Sequence, residues 1–398
     1  MTAPLEDIRV VDLTRLVAGD YCTSLLQSLG AEVVKIEDPH RGDHIGEFGG
    51  SVNGVPVARH LFNRGKRSVC IDLKRPEGQD LLRRLVAGAD VLVESFRPGV
   101  MGRLGLDSAQ ALDLNPRLVW VSISAYGATG DRAQAPGHDL NYLAESGFLD
   151  RLVGTDGRPV PPAVPIADLI GGGLIPALTA VSMVLRAQRT GEGGVVDASI
   201  VEGMALLPSV LLADLTAGVH VPADGRETLL GGAYACYDVY ALADGYAVVG
   251  ALEPVFWRTL CETLELPELV PLQWHAPAQD QVHAALEKAF GALTKADIGR
   301  LHLDEGACVS VVSSYEESIA IRRDSGDEWT VAAEAGFRAP GLPFRIDGQR
   351  LRPAAASPRR GEHTRAVLAE LGIDQSDVSA LAAADVVRAY DDSSERAP

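Results

Sequence analysis

The chain begins with an apolar run rich in Val and Ile, Ile8–Leu13, which predicts a buried β-strand. Tyr21–Leu29 sets its apolar residues at helical spacing and stops at Gly30, a natural helix end. Glu32–Ile36 is apolar again and predicts a second strand. A strand, a helix and a strand in so short a span are the mark of a parallel sheet. The rhythm then repeats. Pro76–Leu85 predicts a helix, Val91–Val93 and Leu118–Ile123 predict strands, Thr179–Gln188 ends a helix, and Gly193–Val196 leads into another strand. With right-handed crossovers this is an α/β, doubly wound, Rossmann-like sheet.

The texture changes near Pro208–Glu227. Beyond it, Tyr234–Tyr240 and Tyr246–Gly250 flank Asp244-Gly245, a hairpin signal, so antiparallel pairing starts there. The expected organisation is a large Rossmann-like part over 1–205, a linker over 206–224 and a smaller α+β domain over 225–325. A C-terminal segment, 326–398, returns to the large domain with a Pro- and Arg-rich connector and a helix over Glu362–Leu371. The polar end, Asp391–Pro398, is expected to be disordered. The most apolar stretch, Ile166–Leu185, contains Asp168, Gly171–Gly173 and Pro176, and reads as a buried helix with a functional start rather than a membrane span.

Composition narrows the classes. Hydrophobic residues make up 46% of the 398, which a mostly disordered chain does not reach. Lys+Arg number 36 against 54 Asp+Glu, a net charge of −18, which argues against nucleic acid or an anionic membrane as the main partner. The five cysteines, Cys22, Cys70, Cys236, Cys261 and Cys308, are widely spaced and include no C-x-x-C, so a disulfide framework or zinc ribbon is not expected and a reducing cytoplasm fits. Met1–Arg9 has no apolar core of a secretory signal. The turn after the first strand, Thr14–Asp20, has one glycine, so the dinucleotide fingerprint is absent, and there is no Walker A loop. Neither a metal nor a cofactor is implied.

Four polar segments stand out: Pro136–Tyr142, Ala167-Asp168, Gly250–Pro254, and the basic clusters Arg64–Arg67, Lys74-Arg75 and Arg97–Arg103. Each has a plain structural use. Asp139 and Asp168 suit helix N-caps, Glu253 before Pro254 suits a first-turn acid, and the basic residues suit ion pairs with the acidic excess.

In their order along the chain, however, these segments resemble the family III (CaiB/BaiF-type) CoA-transferases, and within them the α-methylacyl-CoA racemases. Leu5–Leu13, Leu29–Glu37, Asn63–Val69, Phe96–Val100 and Arg103–Leu106 follow in family order. Gly137-His138-Asp139-Leu140-Asn141-Tyr142 is similar to the racemase G-H-D-x-N-Y, and Gly250-Ala251-Leu252-Glu253-Pro254 to its G-A-x-E-P. Typical transferases share the aspartate at Asp168 without the His/Glu pair. The resemblance implies proton removal and return at C2 of a 2-methylacyl-CoA thioester, with no cofactor. His138 and Asp168 would be the two bases, Glu253 would orient His138, and the backbone N–H of Asp139 would face the enolate oxygen. CoA would meet Ile71, Asp72, Leu73, Lys74, Ser95, Phe96, Arg97, Arg103, Gly137, Asp139, Asn141 and Tyr142. An interlocked homodimer is implied, with Glu253 supplied by the partner subunit. The acyl group stays open between branched fatty acids, sterol side chains and aryl-propionyl groups. So does the rival in which Asp168 is the nucleophile of a CoA-transferase. Two positions depart from the pattern. Asp38 stands where many racemases have an arginine against the adenine, leaving Lys35 or Arg41 as replacements, and Asp20 stands where proline is usual.

Overall fold

Strand β1 (Arg9–Leu13), helix α1 (Leu16–Ser28) and strand β2 (Glu32–Glu37) form the first crossover of a computed structural model. The residues described are 3–47, 49–52, 55–154, 156–326, 330–332, 336–343, 345–351 and 356–390. The end of the chain expected to be disordered, Asp391–Pro398, lies outside them. Val10, Val11, Val33 and Val34 are fully buried. A parallel sheet covered on both faces needs such continuous apolar strands, which is why they read as runs rather than alternations. After α1 the chain turns through Gly30 at φ +107°, where a Cβ would lie 2.4 Å from that of Ala3.

The sheet continues with β3 (Arg67–Ile71), α2 (Pro76–Ala87), β4 (Val91–Glu94) and β5 (Val119–Ser124). Then come helices α3 (Asp139–Glu145) and α4 (Ile166–Leu169), a π-helical turn over Ile170–Leu174, α5 (Ile175–Thr190), β6 (Gly194–Ser199) and α6 (Ile200–Ala205). Near the C-terminus α10 (Thr364–Glu370) and β10 (Val387–Arg388) return to this sheet. Its strand order is β10-β3-β2-β1-β4-β5-β6, parallel throughout except for β10, which pairs antiparallel with β3. The six parallel strands thus follow the doubly wound order 3-2-1-4-5-6.

Two readings of this region need correction. Helix α1 starts at Leu16 and not at Tyr21, because Gly19 and Asp20, which read as loop, are both buried: Gly19 against Thr14 and Asp20 against two lysines. The glycines Gly171–Gly173 do not continue a regular helix. They form the π-turn, with a Cβ added at each predicted to fall 2.5 Å from the Ile200 carbonyl oxygen, 2.6 Å from Ala18 and 2.5 Å from Tyr21 respectively. A π-turn widens the helix locally and is frequent at functional sites. Ile166–Thr190 as a whole is long and apolar enough to cross a bilayer, and this glycine face is packed on α1 and α6.

By its internal contacts the chain divides into two units: Met1–Ser146 with Pro162–Leu207 and Glu328–Pro398, and Gly147–Pro161 with Pro208–Asp327. The second unit carries α7 (Ser209–Thr216), the hairpin β7 (Tyr237–Leu242) and β8 (Gly245–Gly250), α8 (Pro254–Thr263), α9 (Gln279–Gly291) and β9 (Val309–Val311). Its antiparallel sheet has the order β9-β8-β7 over a core that includes Tyr240, Trp257, Leu286 and Phe290. The 206–224 stretch expected as a linker is not irregular. It contains α7, whose apolar residues Val210, Leu212 and Leu215 are all exposed.

Candidate functional site

Ligands of an open parallel sheet collect beyond the carboxyl ends of its strands, where the strand order reverses. Here that point lies between β1 and β4. Ile71, Asp72, Leu73, Lys74 and Phe96, five of the residues expected to hold CoA, line one cleft there together with Arg15 and Asp38. Ser95 ties the two loops: its Oγ accepts the Arg15 N–H at 2.9 Å and donates to the Arg15 carbonyl at 3.3 Å. Arg97 and Arg103 follow β4, both exposed and without an ion pair among the described residues. Lys35 does not serve this cleft. It is 1% exposed, donates to the Thr14 carbonyl at 3.0 Å, and pairs with Asp20 and with Asp43, the latter at 2.7 Å. Other members of the basic clusters are likewise structural. Arg67 pairs with Glu32 and Glu370, and Lys66 is buried on Asp12 at 3.0 Å and Asp20 at 3.3 Å.

Asp12, Asp20 and Asp43 therefore share Lys35 and Lys66 beneath the start of α1. Thr14 and Thr23 donate to Asp12 at 2.6 and 2.7 Å. Burial opposes ionisation of Asp12, yet the two ammonium groups and both hydroxyls hold it below the usual carboxylate range. Asp43 is also held low despite burial, by Lys35 and by a hydrogen bond from Asp20. Asp20 carries the surplus. Burial first, then its two acidic neighbours, outweigh the lysines and raise it to about 7. Three acids against two cations leave one acid without a cation of its own, and Asp20 is the one whose proton affinity is raised. This is the structural use of an aspartate at position 20.

The second group is built on two helix starts. His138 precedes α3, and its N–H donates to Asn141 Oδ1 at 3.0 Å. Asp139 is the first residue of α3, so its own N–H has no acceptor within the helix. Its carboxylate reaches the start of α4, accepting the Asp168 N–H at 2.9 Å and the Ala167 N–H as well. Neither aspartate is an N-cap; that position is taken by His138 before α3 and Pro165 before α4. Tyr142 is buried, and its hydroxyl donates to the Gly137 carbonyl, so it braces the loop from below. A Cβ on Gly137 would stand 2.6 Å from the Tyr142 ring, which accounts for glycine at that position.

The dipole of α4 favours an ionised Asp168, whereas burial disfavours it. Burial wins, with the Asp139 charge adding to it, and the Asp168 carboxyl is raised to about 7. Among the described residues no cation offsets it, and backbone N–H groups point instead at Asp139. Asp168 is thus half-protonated near neutrality, in a position only partly exposed. Such a group can both take and give a proton.

Glu253 belongs to the other unit. It follows β8 as the exposed residue before Pro254 and makes no capping bond to α8. Two features of this geometry were not legible beforehand: the Arg15 side chain in the cleft, and the Asp139 carboxylate as the link between α3 and α4. Arg15 had a usable signal, since it follows the first strand at its carboxyl end. The Asp139 link depends on residues far apart in the chain.

Comparison with known proteins gives this geometry a context. The model of CoA-transferase family III matches residues 5–364. The chain is 35% identical to the alpha-methylacyl-CoA racemase of Mus musculus, over 95% of this chain and 96% of that one. It is 32% identical to the succinate–glutarate CoA-transferase of Agrobacterium fabrum, over 92% and 96%. Among solved structures, a CaiB/BaiF family protein from Brucella suis superposes with a TM-score of 0.81 at 27% identity, covering 93% of this chain and all of the other.

Proposed function

Because this chain belongs to CoA-transferase family III and is an enzyme of that family, we propose that it epimerises C2 of 2-methylacyl-CoA thioesters. The observation that carries this reading is the placement of Asp168, partly exposed at the start of α4 with its N–H held by the Asp139 carboxylate, a setting in which burial and the Asp139 charge raise its proton affinity to about 7. A general base that must also return a proton works best with a pKa near the working pH, whereas a carboxylate nucleophile is better kept ionised.

The thioester acidifies the C2 proton, so the scheme requires no cofactor. One of His138 and Asp168 removes that proton, leaving a planar enolate. The other returns a proton to the opposite face, and the protein is restored when the two exchange protons with solvent. The Asp139 N–H, unused within its helix, donates to the enolate oxygen; one such donor is worth about 10²–10³ in rate. Asn141 fixes the backbone of His138. Glu253 of a second copy orients the His138 ring. CoA lies along Ile71–Lys74 and Ser95–Arg97, with Lys74, Arg97 and Arg103 facing its phosphates. A homodimer fits the bare apolar face of α5, where Leu174 just before it and Leu178 and Leu185 within it are 51%, 65% and 46% exposed. All five cysteines are free, which fits a reducing cytoplasm.

A second reading is supported by the 32% identity to a succinate–glutarate CoA-transferase. There Asp168 attacks the thioester carbonyl and CoA thiolate leaves. The thiolate then attacks the Asp168 carbonyl of the mixed anhydride, which releases the donor acid as its carboxylate and leaves an aspartyl-CoA thioester. The acceptor carboxylate displaces CoA from that thioester, and the thiolate cleaves the second anhydride to acceptor acyl-CoA and free Asp168. The two readings separate in D₂O. With a (2R)-2-methylacyl-CoA and no acceptor acid, the racemase exchanges and epimerises the C2 proton, seen by NMR. An unchanged C2 signal, with CoA transfer only on adding a carboxylic acid, overturns the racemase reading in favour of the other.

A further inference from the structure

Asp38 lines the cleft beyond the carboxyl ends of the strands, with Arg15, Lys74 and Phe96. Its Oδ1 is committed to a local turn, accepting the His40 and Arg41 N–H groups at 2.9 and 3.0 Å. Arg15 faces it from the loop after β1. The guanidinium carbon lies 5.1 Å from the centroid of the Phe96 ring, so one face of the cation is backed by an aromatic surface. The Arg15 main chain is held on both its N–H and its carbonyl by Ser95 Oγ, which fixes where the side chain starts. The side chain itself is exposed and has no carboxylate within ion-pair distance among the described residues. Arg15 and Lys74 both act on the Asp38 carboxylate, so the two cations flank the same opening.

A planar cation with one face on an aromatic ring and the other open to a cleft suits a flat, electron-rich heterocycle, and the neighbouring Lys74 suits the phosphates such a ring would carry. Resting on the acyl-CoA reading above, we propose that Arg15 is the specificity residue for the nucleotide end of the substrate, stacking its free face on the adenine and approaching the 3′-phosphate. A lysine could supply the charge there but not the planar face.

Binding and turnover with truncated ligands test this. Calorimetry with CoA and 3′-dephospho-CoA on the full-length protein is expected to show Arg15→Ala weakening CoA by about tenfold, with Arg15→Lys recovering only part of the loss. In turnover, the ratio of kcat/KM for a 2-methylacyl-CoA over the matching acyl-pantetheine, which lacks the nucleotide, should fall about tenfold in Arg15→Ala. Wild-type affinity in Arg15→Ala, or an equal loss toward the pantetheine thioester, overturns the proposal. Full recovery by Arg15→Lys overturns the stacking role. If the wild-type protein binds neither CoA nor its dephospho form, the acyl-CoA reading falls and this proposal with it, an outcome distinct from failure of Arg15 alone.

Discussion

Two groups of buried acids lie in the same unit, and each contains a carboxyl raised to about 7. Beneath α1, Asp12, Asp20 and Asp43 surround Lys35 and Lys66, and every one of the five is essentially sealed from water. At the starts of α3 and α4, the Asp139 carboxylate accepts the Asp168 and Ala167 N–H groups, neither acid has an ion pair among the described residues, and Asp168 stays partly exposed. The first group keeps a proton because three acids outnumber two cations. The second keeps one because burial and the Asp139 charge act on Asp168 with no offsetting cation among the described residues. The contrast shows that a perturbed carboxyl is not by itself a mark of catalysis, since structural ion networks produce the same shift. What separates the two is access: the first group is sealed, and Asp168 in the second is partly open to solvent.

The largest test of that distinction is Asp168→Asn. It removes the exchanging group from either proposed chemistry, and the C2 exchange rate should fall by about 10²–10⁴-fold. The fold should survive and gain stability at alkaline pH. A carboxyl raised from its ordinary value favours the folded state while protonated, and that contribution is lost as pH rises from about 4 through about 7. The gain at pH 8, on the order of 2 kcal/mol after allowing for the remaining exposure of Asp168, is measurable by urea unfolding.

Lys66→Ala tests the sealed group. It removes one of the two buried cations, leaving Asp12 and Asp20 with Lys35 alone, and should lower stability by about 3–5 kcal/mol in the same unfolding experiment. Retention of wild-type stability would mean that the network is not what holds the start of α1. Asp20→Asn is milder. It removes the surplus acid while leaving a hydrogen-bonding amide, so the part of stability that wild type loses between about pH 4 and 7 through Asp20 should vanish. The pH–rate profile should keep its shape. A shifted profile in Asp20→Asn would show that the two groups are coupled, and the contrast drawn here would fail.

The smallest expected effect is at Asp139→Asn. The amide oxygen can still accept the Asp168 and Ala167 N–H groups, but the negative charge beside Asp168 is gone. The Asp168 midpoint should move down from about 7, read as an acid-side shift of the pH–rate profile. Asp139→Ala removes the link itself and should lower the rate further at every pH.

Much of this fold is readable from the chain because its strands are buried on both faces and appear as unbroken Val/Ile runs. The alternation of strand and helix then leaves few topologies. Helix α1 was harder, since Gly19 and Asp20 read as loop until the buried lysines give Asp20 a reason to be helical. Helix α7 hid behind Pro208 in a stretch whose apolar side chains are exposed. His138 and Asp168 are named by sequence motifs, and the 71–74 and 95–97 segments by the family resemblance; the cleft contains 71–74 and Phe96. The Asp139 link was not legible, because 29 residues separate its two ends. Lys35 misled for the opposite reason: a lysine beside the cleft in sequence is, in space, a counter-ion inside the protein.

The account rests on Asp168 being a carboxyl that exchanges its proton near neutrality. The direct measurement is a titration of the full-length protein labelled with ¹³C at the aspartate carboxyl carbon, with the Asp168 signal assigned from its loss in Asp168→Asn. A midpoint near 7 that falls in Asp139→Asn is the expected result. A midpoint near 4, the value of an ordinary exposed aspartate, would contradict it.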